Sequence, residues 1–269
     1  MCLKKLHLWL SIDETTDCDG RYIANIIVGA LNKEQKTIPY LLNVCELLTT
    51  NNVTVTQCVM DSLKLWPSGN KYDQLLLFVT DAGSYMVKSG QTLKGIFPNL
   101  IHITCLAHTL HCIAETIRNS FQLVDRFVAC TKKIFVKSPS RIKLFRLTAP
   151  NTPLPPAPVL TRWRSWLDAA LYYAQHIEIV KQVVNLLDSN EAASIQTVQD
   201  ILSGTELEEN FVFISAHFSF LPTAITSMEA VVSPLKESLA VFEKTISNHN
   251  SVPGSIGQKV KEKINYVNF

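Results

Sequence analysis

The chain has 269 residues, 47% of them hydrophobic and 18% charged, enough apolar material to bury one large core or two smaller ones and too much for a disordered chain. A formal net charge of +2 excludes the strongly basic balance that would by itself announce a nucleic-acid partner, so any such partner has to be argued from local features. No uncharged apolar run approaches the roughly 20 residues of a membrane helix, and the opening run Leu6 to Ile12 is short and ends in acids, so the expectation is a soluble intracellular protein made without a signal peptide.

Taken in chain order, Leu6 to Ile12 reads as a strand, Asp13 to Gly20 as an acidic turn, and Tyr22 to Leu31 and Thr37 to Val44 as further strands of an antiparallel meander. Helical spacing from Val53 to Trp66 is stopped by Pro67, Ser68 and Gly69 before a strand of buried type, Leu75 to Thr80. A short helix from Ser84 to Lys94, a turn at Pro98 and a strand from Leu100 to Thr104 follow. One helix is then expected from Leu106 to about Val136, because Leu106, Leu110, Ile113 and Ile117 recur on one face. The predicted order is βββαβαβα, an α/β fold. Residues 150–158 hold five prolines in nine positions, which cannot be helix and mark a linker or an extended crossing segment. Beyond them Trp163 to Leu187, Ser194 to Leu202, Leu207 to Phe220 and Ile225 to Ile246 read as helices, so the second half is helical.

Asp13 follows the first predicted strand and Asp81 directly follows the fourth. If those strands are neighbours, two hard oxygen ligands emerge side by side, as Mg²⁺ or Mn²⁺ phosphoryl-transfer chemistry requires. The same aspartates also suit the ordinary roles of turn former or helix N-cap.

The residues around them resemble the hAT transposase superfamily at four places in the same order. Ser11-Ile12-Asp13-Glu14-Thr15-Thr16-Asp17 resembles the first catalytic strand of that family, and Phe78-Val79-Thr80-Asp81-Ala82-Gly83-Ser84-Tyr85-Met86 the second. Cys105-Leu106-Ala107-His108 matches its Cys-x-x-His signature, and Thr161-Arg162-Trp163 the Arg-Trp element that opens its inserted helical domain. The resemblance implies an RNase H-like mixed sheet followed by an all-α insertion region. It divides the chain into the N-terminal part of a catalytic domain at 1–148, a proline-rich linker at 149–160 and a helical insertion at 161–269. It implies catalytic, metal-binding roles for Asp13 and Asp81, with Mg²⁺ or Mn²⁺ as cofactor if the chain is active and no cofactor otherwise, supporting roles for Cys105, His108, Arg162 and Trp163, a nuclear location, and DNA, protein partners or related transposase subunits as partners, with no membrane. The third carboxylate of that family is a glutamate on a helix after the insertion, and none is expected here before Phe269. The expectation is therefore a transposable-element-derived, catalytically incomplete transposase fragment; the alternative is an active metal-dependent DNA transposase whose third carboxylate lies outside this chain. Asp168 and Glu178 fall where the resemblance places the insertion and are not expected to complete the site.

Three other groupings bear on function. Asp13, Asp17, Asp19 and Gly20 do not make an EF-hand, because neither Ala24 nor Val28 can be the closing bidentate acid. Seven cysteines without a CxxC pair argue for a reducing compartment, and Cys105, His108, His111 and Cys112 lack the second ligand pair of a zinc site. Arg126, Lys132, Lys133, Lys137, Arg141, Lys143 and Arg146 place seven basic residues in twenty-one positions without an acid, either a track for a phosphate backbone or a solvated helix face. Trp166 is expected in the core; Trp163, beside Arg162, suits either a core place or stacking on an unpaired base.

Overall fold

A computed structural model of the chain describes residues 7–32, 38–65, 74–159, 163–230 and 235–267. They divide into two compact units, 1–109 and 110–269. The first unit is an α/β layer of five strands: β1 (His7–Thr16), β2 (Tyr22–Leu31), β3 (Tyr40–Leu47), β4 (Leu75–Thr80) and β5 (Ile101–Thr104), with helices α1 (Asn52–Lys64) after β3 and α2 (Ser84–Ile96) after β4. The strand order is β3-β2-β1-β4-β5, with β2 antiparallel to β1 and β3 while β4 runs parallel to β1 and β5, so the sheet is mixed. With α3 (Leu106–Ser120) after β5, the element order is βββαβαβα.

Alternation decides which face is buried. Leu8, Leu10 and Ile12 of β1 and Ala24, Ile26 and Val28 of β2 point to one side. There all of them except Val28 share a core with Val55, Val59 and Leu63 of α1 and Met86 and Leu93 of α2. Helix α1 starts one residue before the apolar spacing does, because Asn51 Oδ1 accepts from Val53 N (2.9 Å) and Thr54 N (3.0 Å) while Thr54 Oγ1 accepts from Asn51 N, a capping box worth about 1 kcal/mol. Pro67, Ser68 and Gly69, expected to stop that helix, lie outside the described residues.

The first strand is longer than its apolar run. Asp13 to Thr16, expected in a turn, continue β1 opposite Asn25 to Tyr22, since the antiparallel ladder supplies the hydrogen bonds that the polar side chains do not discourage. The turn is confined to the residues beyond, where Asp17 Oδ1 accepts from Asp19 N and Arg21 N at 2.9 Å each and Gly20 takes φ +80°.

The second unit is helical: the rest of α3, α4 (Gln122–Phe135), α5 (Pro139–Thr148), α6 (Trp163–Asn185), α7 (Ala193–Leu202), α8 (Glu206–Phe218), α9 (Leu221–Glu229), α10 (Leu235–Asn250) and α11 (Gly254–Val267), with one 3₁₀ turn at Ser189–Glu191. The single helix expected over Leu106 to Val136 is two helices. Phe121 takes φ −119° and ψ 61° between them, and Arg118 Nε donates across the break to Asp125 Oδ1 at 2.6 Å. The helix expected over Ile225 to Ile246 is likewise divided, at Ala230 with ψ 121°. The core centres on Phe127, whose ring meets Tyr173 at 5.1 Å and Phe211 at 5.8 Å, both edge-on. The proline-rich segment lies inside this unit as an extended crossing strap. Its prolines have no N–H to donate, and its carbonyls are taken by side chains: Tyr172 Oη donates to Pro153 O, and Lys132 Nζ to Pro158 O at 2.8 Å. No single described helix is long and apolar enough to cross a membrane.

Two close fits generate measurable consequences. A Cβ on Gly90 of α2 would stand 2.5 Å from the ring of His102 on β5, so Gly90→Ala overpacks the α2–β5 contact and should lower unfolding stability by about 1–3 kcal/mol, read as a fall in urea midpoint at unchanged slope. His249 on α10 is fully buried; its Nδ1 donates to Thr245 O at 2.7 Å and its Nε2 has no partner among the described residues. Burial depresses its pKa to about 4, against a smaller opposing effect of the Thr245 carbonyl. The folded state thus binds fewer protons than the unfolded chain between about pH 6.5 and 4, and His249 favours folding fully above that window and progressively less as pH falls through it. Acid titration of the thermal midpoint should show a loss approaching about 3 kcal/mol across the window, and His249→Phe should flatten it.

Candidate functional site

The site begins with a register. Leu8 pairs with Leu75 but Trp9 pairs with Leu77, so one residue of β4 is bulged out. From there Leu10 pairs with Phe78 and Ser11 with Val79. Two steps further along both strands lie Asp13 and Asp81, in step, at the carboxyl end of a parallel pair. The bulge sets the parity: it puts Phe78 and Thr80 in step with Leu10 and Ile12 on the core side and Asp81, the residue after β4, in step with Asp13 and within its electrostatic reach.

Asp13 is solvent-accessible, yet its carboxyl is held above the usual aspartate range. Crowding by surrounding protein is the largest cause; His108 opposes it, Asp81 adds to it by like-charge repulsion, and the Glu14 backbone N–H opposes it. Asp81 is half-buried. Its Oδ1 accepts from Gly83 N at 2.9 Å, forming the turn that launches α2, and its Oδ2 has no protein donor among the described residues. One oxygen therefore performs the ordinary turn-forming job, and the other is left for chemistry.

Thr80 fixes the strand beneath. Its hydroxyl donates to Asp81 O at 2.7 Å and, with that proton committed, accepts from His102 Nε2 at 2.9 Å, which assigns the Nε2–H tautomer to His102; burial lowers the pKa of this imidazole. Cys105 N donates to Thr80 O at 2.7 Å, so Cys105 closes the β4–β5 ladder, and Thr109 N donates to Cys105 O in the first turn of α3. His108 sits exposed in that turn, within electrostatic reach of Asp13.

Two residues without a role in the sequence argument belong to the same edge. Strand alternation sends Glu14 to the core side of β1, and Tyr85, one turn along from Asp81 on α2, donates its hydroxyl to Glu14 Oε2 at 3.0 Å. Burial first, then Asp81, the Glu14 hydrogen bond and charge, and Asp13 drive the Tyr85 pKa upward, so the phenol remains a donor among three carboxylates. The signal for Glu14 was present in the sequence as an Asp-Glu pair at one strand end.

The remaining candidates are dispersed. Arg162 and Thr161 lie outside the described residues, and Trp163 opens α6. Trp166 is buried in the second unit, as its spacing predicts. Asp168 lies on the same helix, 3.4 Å from Arg164, and Glu178 lies nearly three turns beyond. The basic run does not make one face. It spans α4, the turn at Lys137, where φ is +58°, and α5. Lys132 is tied to Pro158, and Arg141 donates to Ile134 O and to Glu191 Oε2 at 3.1 Å, so both serve internal contacts. Lys133 and Lys137 are exposed and form no ion pair among the described residues, and Arg126, Lys143 and Arg146 are also exposed. His111 pairs with Glu229 at 3.0 Å.

The donor set at the sheet edge fits a hard divalent cation in part: two adjacent carboxylates, one destabilised by its neighbour's charge, as a cation would relieve. Among the described residues no group of three or more His, Cys, Asp or Glu side chains is arranged to hold a metal. Comparison of the sequence with protein-family models and with curated proteins finds no match. If the pair interacts as described, Asp81→Asn removes one of the causes that raise Asp13, and the Asp13 carboxyl should titrate at lower pH in the variant by carbon NMR; an unchanged midpoint would separate the two groups.

Proposed function

We propose that the first unit is an RNase H-like catalytic scaffold of the hAT transposase type, and that the chain is a transposable-element-derived transposase segment that binds divalent metal and DNA in the nucleus without cutting or joining DNA by itself. The observation that carries this reading is the proximity of Asp13 and Asp81 just beyond the carboxyl end of the parallel β1–β4 ladder. The order βββαβαβα, the mixed sheet and the helical second unit support it.

On this reading Asp13 and Asp81 would hold Mg²⁺ or Mn²⁺, which when bound supplies Lewis-acid activation of a phosphodiester. The chain's own contributions are the turn at Gly83 that fixes Asp81 Oδ1, the Thr80–His102 bond that fixes the strand under it, and the Tyr85 hydroxyl that holds Glu14 aside. In-line transfer needs reactants and metals held in fixed geometry, and two carboxylates leave that geometry underdetermined. The exposed Lys133 and Lys137, with Arg126, Lys143 and Arg146, offer phosphate contacts whose strength falls steeply with salt.

Manganese titration followed by electron paramagnetic resonance should show weak binding by the wild type that Asp81→Ala abolishes, while supercoiled plasmid incubated with the same protein and Mn²⁺ stays intact. Manganese uptake identical in the variant would end the metal-site reading. Nicking that disappears with Asp81→Ala would replace the inactive segment by an active metal-dependent transposase.

A further inference from the structure

Within the second unit, a cavity of about 470 Å³ opens between α4 and the proline-rich strap, and of its lining the function proposed above uses only Lys133. Its walls include Val128, Val136, Val159 and the buried Trp166, and its volume falls in the range of small-molecule sites. Val136 and Val159 are 43% and 53% exposed, so apolar side chains at this cavity stand uncovered in water. The charged lining is unequal: Arg118 and Asp125 pair with each other at 2.6 Å, and Lys132 and Lys133 leave an excess of two positive charges. Lys132 spends one ammonium proton on Pro158 O and keeps two donors; Lys133 is exposed.

From this combination we infer that the second unit binds a free amphiphilic monocarboxylate, its apolar chain in the cavity and its carboxylate at Lys132 and Lys133. A neutral or cationic amphiphile satisfies the walls and leaves the two lysines unmatched, and a small hydrophilic anion does the reverse. Charge complementarity therefore selects the carboxylate.

The full chain would be titrated with decanoate, decanol and decyltrimethylammonium below their aggregation limits, by calorimetry and tryptophan fluorescence. Saturable one-to-one binding of decanoate is expected, with decanol about fivefold weaker, the scale of one solvent-facing ion pair, and the cation weaker still. Lys133→Ala, an exposed substitution that leaves the fold intact, should bring decanoate down to the affinity of decanol. Ala129→Phe, which fills the cavity from α4, should abolish binding of both, and its thermal melt reports whether it folds. Equal affinity for decanoate and decanol, binding unchanged in Lys133→Ala, or no saturation in the wild type would each overturn the inference.

Discussion

The geometry of the acid pair depends on the parallel pairing of β1 with β4. A parallel neighbour cannot be reached by a tight turn, so the chain between them must cross over, and α1 is the element that does so, covering the sheet face it crosses. Because both strands run the same way, their carboxyl ends finish at the same edge. One bulged residue near the start of the pair then sets the parity of everything downstream. Without it, Asp81 would fall on the core side with Leu77 and Val79 while Phe78 and Thr80 turned outward, and the two carboxylates would be separated by the thickness of the sheet.

Around that pair, residues with structural jobs also shape the electrostatics. Asp81 is at once a turn former and half of the acid pair, and Thr80 links the β4 backbone to His102, which itself lies against Gly90 of α2. Tyr85 joins α2 to β1 through Glu14. The helix, the two parallel strands and the first turn of α3 thus converge on one edge through a short series of hydrogen bonds, and Asp81 and His108 from that edge act on the charge of Asp13.

Much of this was legible in the sequence, for identifiable reasons. The five strands were readable because alternation in β1 and β2 and the unbroken apolar run of β4 are strong local signals, and β4 was found at its true limits, Leu75 to Thr80. The bulge was not readable, since an apolar run with no polar member carries no parity. The break between α3 and α4 was not readable because Phe121 is buried and continues the apolar spacing of Ile117 and Val124 across a backbone break that only its dihedral angles reveal. Helix α5 was obscured by its own charges, with Phe145 its one fully buried side chain. At the site, Asp13 and Asp81 were visible as strand-end acids. Tyr85 was not, because its partner Glu14 is seventy-one positions away and the contact exists only once α2 lies on the sheet edge.

The extra length of β1 has a mechanical consequence. β1 stays paired with β2 out to Thr16, whereas its ladder with β4 is formed only as far as Ser11. Asp13 therefore rides on a flap of β1, β2 and β3 that overhangs the end of β4, clamped at one end, closed at the other by the Asp17–Arg21 hairpin clasp and tied to α2 through Glu14 and Tyr85. Asp81 is anchored to the clamp itself. Flexing of the flap moves one carboxylate relative to the other without breaking any bond in the parallel ladder, so the spread of gaps between them depends on the stiffness of those three strands and of the Tyr85–Glu14 tie.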